Sequence, residues 1–410
     1  MPEYALQLSP TTLCLGLAFS LSCSKEEQAL TPIPLLVVSD ADTAETPGSG
    51  IDDDSDDSDD SDNSDDPDNE TLSIQEDEVV TEAGVATVTI EVEDGVTAFM
   101  LTAESEQRVA LERIINPEGN VIFDWEDWYS ENQSLTSAIW PSSSEMVLNW
   151  PVRAEEGSLY EGSWQVVLSA VGSIGRYQPN STIQVITHTK RDDDFDSGVV
   201  RVRLVYAEGV DEIEGVAEAM NAGIERWKQI WAMQGLEPLV TTESSDFDPD
   251  LPYPGDGAEE IYDLALDSAE NEITMIVGET IKGGTDYLGV AGSIPGTLTA
   301  KTRSAVVISW LASAGFDGRF DDTEIGILGE TMAHEMGHYM GLFHPVEQNG
   351  WSRWDACDDT PNCNSESRCR DQLGENVMFP TPICTYSGCI EQGQISPIQA
   401  EILHRYSGTL

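Results

Sequence analysis

From about residue 74 to residue 190, apolar and polar positions alternate in short runs. Val88, Ile90 and Val92 share one side of their run, and Trp164, Val166 and Leu168 one side of theirs. This period of two marks half-buried strands. Asn116-Pro117-Glu118-Gly119-Asn120 and Glu155-Glu156-Gly157 punctuate the runs as turns. No long helical periodicity precedes His188, so this stretch predicts an all-β sandwich.

The pattern changes after the charged run Lys190-Arg191-Asp192-Asp193-Asp194. A strand follows, with Val200, Val202, Leu204 and Tyr206 on one face. Next comes a helix over about residues 211–233, where Ile213, Val216, Met220, Ile224, Trp227 and Trp231 recur at helical spacing. Strands are expected at 272–277 and 304–310. A last helix begins near Asp322, with N-cap oxygens from Asp321 and Asp322 and with Glu324 at its positive end. Ile325, Leu328 and Met332 form its apolar stripe. The expectation is a multidomain chain: a β-sandwich over 74–190, followed by an α/β (α+β) domain with a long active-site helix over 191–410. The sandwich carries no recognisable chemistry and reads as an accessory or spacer. The later segment is expected to fold without it.

Residues 1–73 do not belong to either unit. The apolar run Thr11–Ser22 is too short for a permanent membrane span and reads as an export signal. It ends in Ser20-Leu21-Ser22-Cys23, which resembles the lipobox of bacterial lipoproteins. That resemblance implies cleavage before Cys23, lipid on Cys23, and residence in the cell envelope, at the outer membrane. Secretion after cleavage nearby is the simpler alternative. Residues 1–23 are therefore assigned to the signal and 24–73 to a linker, whose Asp/Ser tract at 51–70 has almost nothing to bury. Aspartates at this density offer at most loose Ca²⁺ binding, because no spacing fits an ordered calcium loop.

With 76 acidic and 19 basic residues the formal net charge is -57, which argues against nucleic acid as a partner and against an anionic membrane bound through a basic face. Only an N-terminal lipid would hold such a chain to a membrane. Five of the seven cysteines, Cys357, Cys363, Cys369, Cys384 and Cys389, cluster late in the chain. In an exported protein such a cluster implies disulfides, with one thiol left over.

The chemistry is concentrated in His334-Glu335-Met336-Gly337-His338-Tyr339-Met340-Gly341-Leu342-Phe343-His344. Histidines four apart on a helix project from one face and can reach one Zn²⁺. Glu335 stands beside the first ligand, where it can take a proton from water at the metal. Gly341 allows the positive φ that ends the helix, so that the reversed chain returns His344 as a third ligand. The chain has five histidines, and this arrangement arises by chance with a probability on the order of 10⁻⁵. His188 and His404 have no such context and read as ordinary core or surface residues.

This motif resembles the extended zinc signature of metzincin peptidases. The resemblance implies one catalytic Zn²⁺ on His334, His338 and His344, with Glu335 as general base and a polypeptide as substrate. It also implies a methionine turn under the metal, for which Asn376-Val377-Met378-Phe379-Pro380 is the candidate. Asp359-Thr360-Pro361 is similar to the pappalysin-like branch, whereas Pro380, where that branch has tyrosine, is similar to matrixins. In the family an edge strand above the cleft pairs with substrate. Gly289, Val290, Ala291 and Gly292, within the segment 289–296, look like that strand, with Pro380 in the wall beside the scissile bond. The turn from Met378 to about Thr385 completes the wall, braced by Cys384 and Cys389. No cysteine lies between Ser24 and Lys190, so an inhibitory propeptide thiol is not expected there. Two other readings stand beside the zinc endopeptidase: an inactive surface adhesin or binding lipoprotein, and a zinc hydrolase of a non-peptide bond.

Overall fold

The computed structural model describes residues 22–24, 72–129, 132–255, 257–269, 271–315, 318–385 and 388–410. The signal, apart from the backbone of Ser22–Ser24, lies outside these residues. So does the acidic tract of the linker, the expected place of loose Ca²⁺ binding, while Leu72 and Ser73, assigned to the linker, begin the first strand of the N-terminal region.

The N-terminal region is β-rich, as its alternation requires. One four-stranded antiparallel sheet runs in the order Leu72–Val80, Thr182–Lys190, Ala98–Glu104, Glu145–Trp150. A second runs Val85–Val92, Gly162–Val171, Arg108–Ile115, Val121–Asp124. Val88, Ile90, Val92, Trp164, Val166 and Leu168 are all buried, and they pack in one core with Phe99, Leu101, Leu148 and Ile183 from the other sheet. In Val85–Val92 only the apolar face leaves water, which is the physical content of the period of two, whereas Ala98–Glu104 and Glu145–Trp150 are buried on both faces.

The later region is mixed α/β. A six-stranded sheet runs Ser22–Ser24, Tyr287–Ala291, Ala305–Ser309, Glu272–Gly278, Gly198–Tyr206, Leu236–Ser244. The four strands from Ala305–Ser309 onward are mutually parallel. Tyr287–Ala291 runs antiparallel to Ala305–Ser309, and Ser22–Ser24 pairs antiparallel on its far side. Parallel strands are buried on both faces, and Ala305–Ser309 is buried at every position.

The helix expected over residues 211–233 starts later, at Val216, and runs to Ala232. Gly215 at φ 87° interrupts the chain, and Val210–Glu212 forms a separate short 3-10 turn. The helix that carries His334 and His338, Asp322–Tyr339, begins where expected. Asp321 accepts hydrogen bonds from the amides of Thr323 (2.8 Å) and Glu324 (2.9 Å), and Glu324 reaches back to the Asp321 amide (2.9 Å). Its burial departs from a single stripe. Ile325 is half-buried, and every residue from Leu328 to Tyr339 is buried. The neighbouring helix Val216–Ala232 covers one side closely, since a Cβ on Gly329 would lie 2.5 Å from the Gly223 carbonyl oxygen, while the strand Tyr287–Ala291 and the chain around Met378 cover others. The Arg226 guanidinium also donates to Glu330 across the crossing at 2.7 Å.

Lys190, read as the start of a charged boundary between the two regions, is fully buried. Its ammonium donates to the His404 carbonyl at 2.8 Å, and burial pushes its pKa down to about 8. Other buried polar contacts tie the two regions together. Asn149 donates to the Arg405 carbonyl (2.9 Å) and accepts from the Ser407 amide (2.9 Å) and hydroxyl (2.8 Å). The hydroxyls of Thr102 and Thr297 meet at 2.7 Å. Gln133–Ser134 pairs in parallel with Trp354–Asp355. These contacts weigh against the expectation that the later segment folds without the earlier one, because its removal would strand buried donors and acceptors.

Candidate metal centre

The three histidines of the motif converge. His334 and His338 sit one turn apart on the helix. Gly341 at φ 111° then turns the chain back, with Leu342 N–H donating to the Gly337 carbonyl at 2.9 Å. That reversal brings His344 over the helix face. Its Nε2 lies 3.1 Å from Nε2 of His338 and 3.2 Å from Nε2 of His334. All three side chains are buried.

The outer nitrogens fix the tautomers. Nδ1 of His334 faces the Val377 carbonyl and Nδ1 of His338 the Leu342 carbonyl, each at 2.7 Å. A carbonyl only accepts, so both Nδ1 atoms carry the hydrogen. Burial holds both rings neutral, pushing His334 down to about 3 and His338 well below its ordinary value. His344 Nδ1 faces the Glu347 carboxylate at 3.1 Å, which fixes the same tautomer there. The bare Nε2 lone pairs of His334 and His338 therefore converge with Nε2 of His344, an arrangement that suits a cation among them. A tetrahedral ion with metal–nitrogen bonds of about 2.0–2.1 Å requires nitrogens about 3.4 Å apart. The observed separations fit such an ion. Carbonyl and carboxylate partners on the outer nitrogens are the usual support of ligating histidines.

Glu335 is fully buried beside this cluster. The strand Tyr287–Ala291 passes directly over it: a Cβ on Gly289 would lie 2.6 Å from Glu335 Cγ and 3.0 Å from Ile308 Cδ1. Only glycine leaves room there for the carboxylate. Of the other residues expected on this strand, Val290 and Ala291 are buried within it. Gly292 lies just past its end, where a Cβ would strike the Arg303 carbonyl.

Met378 is fully buried beneath the helix, and a Cβ on Gly337 would lie 2.6 Å from its sulfur. The turn is pinned at both ends. Asn376 accepts from the Met378 amide through its side chain (2.9 Å) and from the Phe379 amide through its carbonyl (3.0 Å). The Val377 amide donates to the Gln394 carbonyl at 2.8 Å, while the Val377 carbonyl receives His334. Pro380 is buried in the next position. Beyond it, Cys384–Thr385 and Gly388–Cys389 form a hairpin closed by a Cys384–Cys389 disulfide. A second disulfide joins Cys363 and Cys369, and Cys357 is the buried thiol left over. Two disulfides indicate an oxidising compartment. Among the described residues, no helix is long and apolar enough to cross a membrane.

Several supports were not read from the sequence. Glu347 lies three residues past His344, a spacing that could have suggested it. The Val377 and Leu342 carbonyls carry no side-chain signal. Asp359, singled out with Thr360 and Pro361, accepts from Ser396 Oγ (2.8 Å) and the Ile398 amide (2.9 Å), and so holds the start of the last helix, Pro397–Arg405. His188 and His404 stay apart from the cluster. His188 is buried in its strand and held neutral, its pKa down at about 4, and His404 Nε2 donates to the Gln234 carbonyl at 2.7 Å.

No family model matches the chain, and no curated protein matches it. Among solved structures, it is similar to the YxiM protein of Bacillus subtilis at 9% identity, over 83% of this chain and 89% of that one, with a TM-score of 0.16. It is similar to a family two carbohydrate esterase from Cellvibrio japonicus at 10% identity, over 51% and 68% of the two chains, with a TM-score of 0.12. Likenesses this slight carry no weight for fold or function.

Proposed function

We propose that this chain is a zinc-dependent endopeptidase of the metzincin type, with His334, His338 and His344 as metal ligands and Glu335 as general base. The observation that carries the reading is the convergence of three buried imidazole Nε2 atoms, with His344 3.1 and 3.2 Å from the other two, beside a buried carboxylate. When bound there, zinc supplies Lewis-acid chemistry, polarising a carbonyl and making water acidic. The protein does the rest. Glu335, held under Gly289, accepts the proton of the attacking water and returns it to the leaving amine. Its enclosure keeps bulk water from competing for that proton. The Gly289 strand has one side on Ala305–Ser309 and takes an antiparallel segment on the other, so it can bind an extended polypeptide through backbone hydrogen bonds. This favours a peptide over a non-peptide substrate. The intact Glu335 favours an enzyme over an inactive adhesin.

The zinc ligands, the turn of Met378 beneath them and the wall of Pro380 and the Cys384–Cys389 hairpin together support a catalytic region over 191–410. In this reading residues 74–190 are its β-sandwich accessory. Export is the accompanying proposal, with a lipid on Cys23 and residues 24–73 as the tether. Casein zymography with and without a chelator tests the central reading. A chelator-sensitive cleared band is expected. Clearing that persists in chelator, or protein free of zinc on metal analysis while active, overturns it.

A further inference from the structure

A cavity opens where the N-terminal sheets meet the end of the Gly289 strand. Trp140 and Met146 contribute its wall from the N-terminal region, and Ile294 and Phe343 from the later one, with Glu145 and Arg303 at its polar side. Resting on the endopeptidase reading, we propose that this cavity is a substrate pocket for a large apolar side chain two or three positions before the scissile bond. On this proposal the N-terminal region sets specificity and is more than a spacer.

Direction comes from the segment paired on the edge strand. Ser22 lies opposite Val290 and Ser24 opposite Tyr287. A peptide bound in the same sense carries its N-terminal part toward Ala291 and its C-terminal part toward Tyr287. Glu335 lies against Gly289, between these ends. Two strand residues span about 7 Å, so residues just before the scissile bond pass over Ala291 and reach the cavity mouth.

The chemistry of the pocket follows from its walls. Indole, thioether, branched aliphatic and phenyl groups supply its apolar half, and serines at its rim, with Glu145 and Arg303, supply the rest. Glu145 and Arg303 are of opposite sign and give the cavity no net charge of its own, so it has little to attract an ion. Phe343 packs against Ile294 and immediately precedes the ligand His344, which links pocket and metal centre.

The pocket is also built rigidly. The Ser137 amide (3.2 Å) and hydroxyl (2.5 Å) both donate to the Ile294 carbonyl, fastening the chain that leaves the edge strand to the N-terminal region. Trp140 is held from outside by Tyr129, with ring centroids 5.0 Å apart, and by the Arg353 guanidinium 4.7 Å from its ring centroid. Side chains fixed in this way cost little ordering entropy when a ligand arrives.

The test uses the full chain with zinc and quenched peptides that differ only two and three positions before the cleaved bond, carrying Leu or Phe against Gly. In the parent, the specificity constant should favour the apolar peptides by about tenfold or more, as expected for a filled hydrophobic subsite. Two variants probe the wall, Trp140→Ala and the exposed Ser142→Trp, which fills the mouth without touching the core. In both, the ratio should fall toward one. A ratio unchanged in both variants overturns the pocket while leaving the peptidase reading intact. Fluorescence anisotropy of the same peptides, labelled, on Glu335→Gln protein separates the two ideas further. Apolar preference in binding that depends on Trp140, with no cleavage by the parent, would keep the pocket and sink the peptidase. Binding indifferent to both peptide residue and variant overturns the pocket.

Discussion

The histidine-bearing helix and the N-terminal sheets bury their side chains in opposite ways. In the helix and the turn that follows it, every candidate ligand lies within eleven residues, from His334 to His344, and the N-cap, turns and tautomers are fixed mostly by neighbours in sequence. In the sheets the partners are remote: Leu72–Val80 pairs with Thr182–Lys190, and Asn149 bonds to Arg405 and Ser407. Chemistry can be written locally because a metal needs a few donors at fixed spacing. Support and specificity draw on long-range contacts, because walls must come from different elements. A local site is therefore fragile to single changes in its own turn, whereas the distributed scaffold should lose stability before it loses chemistry.

The largest effect should come from the helix. Glu335→Gln is expected to keep the fold and the zinc but lose about 10²–10⁴-fold in turnover, the usual worth of a positioned base. Metal analysis and the specificity constant check it together. Turnover within tenfold of the parent would mean that another group takes the proton. Chelation should abolish activity and lower the melting temperature, with the shift depending on free zinc concentration.

Gly289→Ala sharpens the comparison, because the glycine lies outside the motif yet touches its base. A Cβ there meets Glu335 Cγ at 2.6 Å. A displaced carboxylate should cost about tenfold to a hundredfold in turnover, in line with a misplacement near 1 Å. Zinc content should not change. Parent-like kinetics would show that the strand sits farther from the base.

The scaffold is tested by Asn149→Ala. It leaves the Arg405 carbonyl and the Ser407 amide without their buried partner, which should cost about 2–3 kcal/mol, read from the denaturant midpoint. Zinc affinity should change little. Loss of zinc together with stability would mean that the two regions are coupled more tightly than their contacts imply.

The smallest effect is a pH dependence confined to the sheets. Burial holds His188 neutral, at about 4 in the folded chain, against about 6.5 when unfolded. The unfolded chain therefore binds more protons between these values. The stability contribution is complete above about pH 6.5 and falls as pH drops toward 4. His188→Leu should remove this part of the acid sensitivity. Parallel stability–pH curves for parent and variant over that window would contradict it.

Local signals made much of this molecule legible. The Asp321–Glu324 cap, the positive φ at Gly341 and the alternation at Val88–Ile90–Val92 each depend on a few adjacent residues. Where the reading drifted, a distant partner decided. A charged run suggested a boundary crossed by few contacts at Lys190, but its buried ammonium bonds to the His404 carbonyl across the two regions. Ile325, Leu328 and Met332 suggested one buried stripe. The crossing helix at Gly223, the strand at Gly289 and the turn at Met378 together bury the last three turns of the helix on every side instead.

By itself, the sequence determined which side chains could meet on one helix face, where that helix starts and stops, and which strands have one dry face. Backbone periodicity and steric limits at single residues suffice for that. Tertiary structure alone decided that Gly289 lies over Glu335, that Met378 sits beneath Gly337, and that Trp140 and Phe343 share a cavity. Those pairs are separated by 41 to 203 residues, and no local rule acts over such distances. Only the pairing of strands and the burial of a shared core bring them together.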